Sequence, residues 1–225
     1  DENNYFIMGT KEGLIKKTQM SQYASIRKNG LNAINLKDGD ELIGVKMTTG
    51  ESEILVFTKN GYAIRFKETD VRPMGRTATG VKAITLRDSD IAVAMDIVAE
   101  DQDVLVISEN GFGKRTPVSE YTAHRRGGKG IITYKVNDKT GSIVGARVVK
   151  DEDEMMLINS SNVAIRINVS GISTTSRNTS GVTLMRTEEE QKVVAIAKIN
   201  YSDEIENIEN TENNEDIEDA QNVEE

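Results

Sequence analysis

The sequence predicts an all-β fold, a propeller-like array of about four four-stranded antiparallel blades. Three observations carry that expectation. A basic residue stands three or four positions before a glycine four times, about fifty residues apart: Arg27…Gly30, Arg76…Gly80, Arg126…Gly130 and Arg177…Gly181. An apolar run follows each glycine, and a repeat of this period rich in short strands marks a propeller-like array. Long helical periodicity is absent, and only 2 Pro interrupt the chain.

Each repeat opens on a continuous apolar strand: Tyr5–Met8, Ile54–Phe57, Val104–Ile107 and Met155–Ile158. Continuous rather than alternating apolar character suits a strand covered on both faces. A tight turn follows at Lys11-Glu12-Gly13, Lys59-Asn60-Gly61, Glu109-Asn110-Gly111 and Ser160-Ser161-Asn162. Asn-Gly between apolar runs predicts a hairpin in which both turn residues take φ > 0, and Asn162 is the next best residue for that conformation.

The second strand carries a basic residue four positions after each turn: Lys17, Arg65, Arg115 and Arg166. Their common phase predicts equivalent positions on one rim. Neighbouring cations such as Lys16 and Lys114 should face the opposite side, because side chains alternate along a strand. A polar loop with the basic–glycine phrase comes next, then a third strand such as Val81–Leu86. A fourth closes the unit at Leu42–Val45, Ala92–Met95, Ile143–Ala146 and Val193–Ile196. Four short strands make one blade. The units run approximately 4–50, 51–100, 101–150 and 151–200, within one domain spanning 1–200.

Composition narrows the chemistry. The 225 residues hold no Cys and 1 His, which excludes disulfide scaffolds and thiolate chemistry and leaves no catalytic triad or transition-metal site. No apolar run is long enough to form a membrane helix. A cytoplasmic setting is expected. The net charge of −9 is misleading: residues 201–225 contribute 11 acidic and no basic residues, leaving 26 acidic against 28 basic in 1–200. The body is slightly basic and the tail strongly acidic, a pattern that points to nucleic acid. The tail should be disordered, since it cannot bury enough surface to offset chain entropy. It either solubilises the chain or competes with DNA for the basic rim. The acidic pairs Asp88/Asp90 and Asp151/Asp153 fall between strands without calcium-loop spacing and are expected to be solvated.

The richest phrase is His124-Arg125-Arg126-Gly127-Gly128-Lys129-Gly130. Glycine lets backbone N–H groups approach phosphate, while Arg and Lys neutralise its charge. The phrase is no P-loop, because Gly130 stands where Ser or Thr is required. The candidate DNA-binding residues are Arg125, Arg126, Gly127, Gly128 and Lys129, then Arg27, Lys28, Arg76 and Arg177 in the other loops. Lys17, Arg65, Arg115 and Arg166 complete the set.

His124–Gly130 resembles the box heptapeptide of the DNA gyrase A C-terminal domain, with His124 where that family has Gln. Asp38–Val45, Glu68–Arg72, Met74–Ala78 and Gly113–Pro117 are also similar, so the resemblance covers roughly residues 4 to 200. It implies a β-pinwheel whose blades exchange a strand, with double-stranded DNA wrapped around a basic perimeter. It further implies partnership with the rest of gyrase A and with gyrase B in the ATP-dependent negative supercoiling performed by this type II topoisomerase. ATP and Mg would belong to the holoenzyme, and this domain would hold no cofactor and no catalytic residue. Family domains usually have six blades with the box in the first. Here the box-like phrase is in the third repeat, so the chain is expected to hold the last four blades, to lack the first-blade box and to wrap DNA poorly by itself. The alternatives are the topoisomerase IV counterpart and a protein-interaction propeller with an acidic partner. A channel enzyme would need a repeated acidic position, which is missing.

Overall fold

In a computed structural model, described for residues 4–25, 28–188 and 190–199, the chain is four successive antiparallel sheets. The first repeat supplies β1 (Tyr5–Thr10), β2 (Leu14–Gln19) and β3 (Leu42–Thr48). The second supplies β4 (Glu53–Thr58), β5 (Tyr62–Lys67), β6 (Val81–Lys82) and β7 (Ala92–Ile97). The third supplies β8 (Asp103–Ser108), β9 (Phe112–Pro117), β10 (Ile131–Ile132) and β11 (Ile143–Val149). The fourth supplies β12 (Glu154–Asn159), β13 (Ala164–Asn168), β14 (Val182–Thr183) and β15 (Val193–Ile199). The predicted tail at 201–225 lies outside the described residues.

The sheets are not the repeats. Their strand orders are β3-β1-β2-β6, β10-β5-β4-β7, β11-β8-β9-β14 and β13-β12-β15. Each short third strand therefore leaves its own repeat and pairs with the second strand of the preceding one. Leu14 faces Lys82, Ala63 faces Ile131, and Gly113 faces Val182. This is the strand exchange of a pinwheel. In the fourth sheet β13 carries no such addition among the described residues.

The exchanged strand is shorter than the predicted Val81–Leu86. Ladder pairing stops at Lys82, because the amides of Ala83 and Ile84 both turn to the single carbonyl of Gly13, at 2.8 and 3.3 Å. The Asn-Gly turns also differ from expectation. Only the glycine has positive φ, 91° at Gly61 and 77° at Gly111, and Asn162 takes 62° in the fourth copy. The Gly61 N–H closes the turn onto the Thr58 carbonyl at 3.2 Å. A Cβ at Gly111 would meet the Met185 carbonyl oxygen at 2.0 Å. Glycine is needed there for close approach as well as for φ.

The first strands form the core. Leu55, Phe57, Val104 and Val106 share one cluster, and Leu105 and Ile107 reach into the next with Met155 and Leu157. β3, β7, β11 and β15 pack side by side from blade to blade, so they line the axial side. The exchanged strands form the opposite, outer edge. Asp90 and Asp153, read from the sequence as solvated, are 6% and 7% exposed. Asp90 accepts the Asn60 amide at 3.0 Å and its own neighbour's amide at 2.9 Å, pinning the turn. Both bonds end on Oδ1, so the amides hold one carboxylate oxygen in place.

Candidate nucleic-acid interface

The basic–glycine loops immediately precede the exchanged strands, so the outer edge carries them. Two backbone contacts repeat along it. The amides of Asn35, Thr85 and Lys135 donate to the carbonyls of Ala78, Gly128 and Thr179 in the following repeat, at 3.3, 2.8 and 3.0 Å. A guanidinium Nη1 of each loop reaches the other way. Arg76 donates to the Asn32 carbonyl at 3.0 Å, Arg126 to Lys82 at 3.0 Å and Arg177 to Ile132 at 2.9 Å. All three arginines are half-buried, with one edge tied to protein. Tying one edge of the fork fixes the residue's direction at little further entropy cost.

Among the described residues, the loop His124–Gly130 has the most exposed cations of the basic–glycine loops. His124, Arg125, Gly128 and Lys129 are exposed, and Arg126 and Gly127 are half-buried. Arg125 forms no hydrogen bond or ion pair among the described residues. Arg126 Nε donates to the Asp70 carbonyl at 2.9 Å. The loop backbone is held from beneath: the Gly127 amide donates to Ala83 at 2.6 Å, and the Thr85 hydroxyl donates to the Gly127 carbonyl at 2.7 Å. Gly130, at φ 69°, lies so close to the Ala63 carbonyl that a Cβ would stand 2.6 Å from it. These contacts fix the loop while leaving its cations on the outside. Lys28 is exposed as well.

The second-strand cations are a correction. Lys17 is 4% exposed and Arg115 8%. Lys17 pairs with the fully buried Glu68 at 3.0 Å and lies 4.3 Å from the Tyr5 ring centroid. Arg65, with a side chain 16% exposed, pairs with Glu53 and donates to the carbonyls of Val118 and Tyr121 at 3.2 and 3.1 Å. Arg115 donates to the Ile172 carbonyl at 2.9 Å and pairs with Asp151 and Asp103. Lys17, Arg65 and Arg115 thus clamp the following repeat instead of facing outward. Their equivalent phase reports a repeated internal contact. Arg166 pairs with Glu154 but remains exposed, in the sheet whose outer strand carries no exchanged strand among the described residues. Arg27 lies outside the described residues.

Alternation along the second strand holds. Lys16 and Lys17 do face opposite sides, but both sides are covered, and Lys16 and Lys114 are 0% exposed. Burial lowers both pKa values to about 8, with repulsion from Arg76 adding to the effect at Lys16.

Two basic residues at the interface were not singled out from the sequence. Lys82 is exposed on β6 beside Gly127. The Arg87 guanidinium stacks 3.4 Å from the Tyr62 ring centroid and donates to the Lys129 carbonyl at 2.5 Å. The half-buried Val81 next to exposed Lys82 was the available signal, a two-residue alternation too short to read.

Known proteins match this architecture. The family model described as "DNA gyrase C-terminal domain, beta-propeller" matches residues 4–49, 52–99, 102–150 and 153–200. DNA gyrase A of Clostridium acetobutylicum is 56% identical over 203 residues, covering 90% of this chain and 24% of that protein. The Klebsiella oxytoca protein of the same name is 40% identical over 199 residues, 88% of this chain and 23% of that one. The chain therefore spans about a quarter of the length of these relatives. A crystal structure of the C-terminal domain of DNA topoisomerase IV superposes with a TM-score of 0.83 at 29% identity, covering 88% of this chain and 62% of that one. A DNA gyrase A C-terminal domain gives 0.81 at 27%, covering 89% and 67%. With four matched repeats, exchanged outer strands and relatives consistently named gyrase A, the chain belongs to the DNA gyrase C-terminal domain family.

Proposed function

We propose that this domain binds double-stranded DNA along its outer edge and bends it, as the DNA-wrapping part of a gyrase A protein. The observation that carries the reading is the equivalence of Arg76, Arg126 and Arg177, each presented on the exchanged edge with its fork tied to the preceding repeat. A row of equivalent cations follows a phosphate backbone without reading bases. Bending a stiff duplex costs a few kcal/mol, which many such contacts offset. In the holoenzyme, which would engage ATP and Mg, the bent segment would be delivered to the breakage domain of gyrase A. The setting would be the cytoplasm. This domain contributes charge and shape, and its reading requires no cofactor or catalytic residue of its own.

The test is a salt titration of duplex binding. Neutralising Z phosphates gives a slope of log K against log salt of about −0.9Z, so about three to five contacts predict roughly −3 to −5. Affinity should not depend on sequence. A slope near zero defeats the reading and favours an acidic protein partner.

A further inference from the structure

We propose that Lys16 and Lys114 are buried positioning residues that hold the Arg76 and Arg177 loops in their DNA-facing form and take up protons when DNA binds. This rests on the DNA-binding reading above and deepens it. The Lys16 Nζ donates to the carbonyls of Ala33 and Arg76. The Lys114 Nζ donates to Ser176 at 2.6 Å and to Arg177. Each ammonium thus crosses from the second strand of one blade to the carbonyl of the very arginine displayed by the next. Neither lysine has a carboxylate partner within ion-pair distance among the described residues.

A buried ammonium held only by carbonyls is costly compared with an apolar residue of similar size. The fold itself offers the comparison. Three residues after the turn glycine or its Asn162 counterpart stand Lys16, Ile64, Lys114 and Ile165. Isoleucine serves at this station in two of the four repeats, so the blade does not require lysine. The lysines coincide with loops that lack the double glycine of Gly127-Gly128. Where Ile64 sits, a Cβ at Gly128 would stand 3.5 Å from its Cδ1, so an apolar side chain occupies the place under this loop that the ammonium takes under the others.

Charge coupling follows from the same geometry. Lys16 faces Arg76, with Tyr23 donating to the shared Ala33 carbonyl at 3.1 Å. Lys114 faces Glu120, which favours its charged form, and Arg177, which opposes it, with the Tyr134 ring centroid 5.9 Å away. In the free protein both lysines titrate near pH 8, below the ordinary value, chiefly through burial. A phosphate at Arg76 or Arg177 cancels the guanidinium's repulsion and adds attraction, so DNA favours the protonated lysine. Binding then takes up protons near pH 8, and affinity falls as pH rises through that value.

The experiment compares the full chain with a Lys16→Ile/Lys114→Ile variant, and with Lys16→Met/Lys114→Met in case isoleucine impairs folding. Duplex affinity is measured from pH 7 to 9 at fixed ionic strength, with proton uptake from calorimetry at pH 8 in two buffers of different ionisation enthalpy. The wild type should bind with a salt slope, take up protons and lose about threefold in affinity per pH unit. The variant that melts cooperatively should bind about three- to tenfold more weakly at pH 7, with a flat pH profile and no proton uptake. Wild-type affinity and pH dependence in the variant overturn the proposal while leaving DNA binding intact. Absence of salt-dependent binding by the wild type overturns the DNA reading and this proposal together.

Discussion

The loops His124–Gly130 and 174–181 occupy the same station on successive blades, yet they are held by different chemistry. The first has Ile64 at the station beneath it, and Thr85 captures its Gly127 carbonyl at 2.7 Å. The second is gripped by buried Lys114, and it braces itself with a Thr175–Thr179 hydroxyl contact of 2.8 Å. Both nevertheless send an arginine Nη1 to the preceding exchanged strand. The glycine-rich loop is held without an internal cation, through the Gly127 amide on the Ala83 carbonyl and the Thr85 hydroxyl on the Gly127 carbonyl. The loop with side chains at those positions is held by an ammonium. One backbone path is thus reached twice, and the difference lies in where the positive charge goes: outward at Arg125 and Lys129, inward at Lys114.

The largest expected effect comes from what the loops share. Gly130 and Gly181 have φ of 69° and 71°, and a Cβ would stand 2.6 Å from the Ala63 carbonyl oxygen and 2.2 Å from that of Gly113. Replacement by alanine should cost about 3 kcal/mol at each site, lowering the melting temperature by roughly 6–12 °C in a domain of this size. Gly181→Ala should be the worse of the two. Equal, small shifts in thermal unfolding would show that the exchanged strand adds little stability.

Charge reversal probes the difference. Arg125→Glu with Arg126→Glu should weaken duplex binding by about 2 kcal/mol, roughly thirtyfold, with sequence preference unchanged. The same reversal at Arg65 or Arg115 should instead unfold the chain at lower temperature, because each clamps carbonyls of the next repeat. If Arg65→Glu folds normally and loses DNA binding, the assignment of the two classes is inverted.

That division was only partly legible in the sequence. The period, the turn glycines and the apolar first strands follow from local rules, since each repeat must bury the same strand. The burial of Lys17, Arg65 and Arg115 does not, because it depends on the following repeat, fifty residues away, supplying carbonyls and carboxylates. A basic residue at constant phase is equally consistent with a rim and with a repeated internal clamp. The strand exchange was implied by family resemblance, not by the residue pattern. Ile64 and Lys114 share a station, but their opposite chemistry conceals it from inspection of the sequence.

A smaller effect separates the two anchors. Thr85→Val removes the hydroxyl on the Gly127 carbonyl and should cost about 1 kcal/mol. It should speed amide exchange in 124–130 while leaving 174–181 unchanged. Its counterpart in the next repeat is Lys135, which contributes a backbone amide to Thr179. Equal acceleration in both loops would mean that the rim moves as one unit.

The smallest expected change in stability is at Gly128, and it is informative for that reason. Gly128 does not have positive φ, and its nearest neighbour would be Ile64 Cδ1 at 3.5 Å, an ordinary contact. Gly128→Ala should therefore leave stability within about 0.5 kcal/mol, with the reduced freedom of the unfolded chain favouring alanine. Folding gives no reason for a glycine at this position. If alanine leaves the melting temperature unchanged yet weakens DNA binding severalfold, the missing side chain serves the approach of phosphate to the loop's amides. If binding is also unchanged, the DNA path runs over Arg125 and Lys129 without touching the backbone between them, and the loop acts through its cations alone.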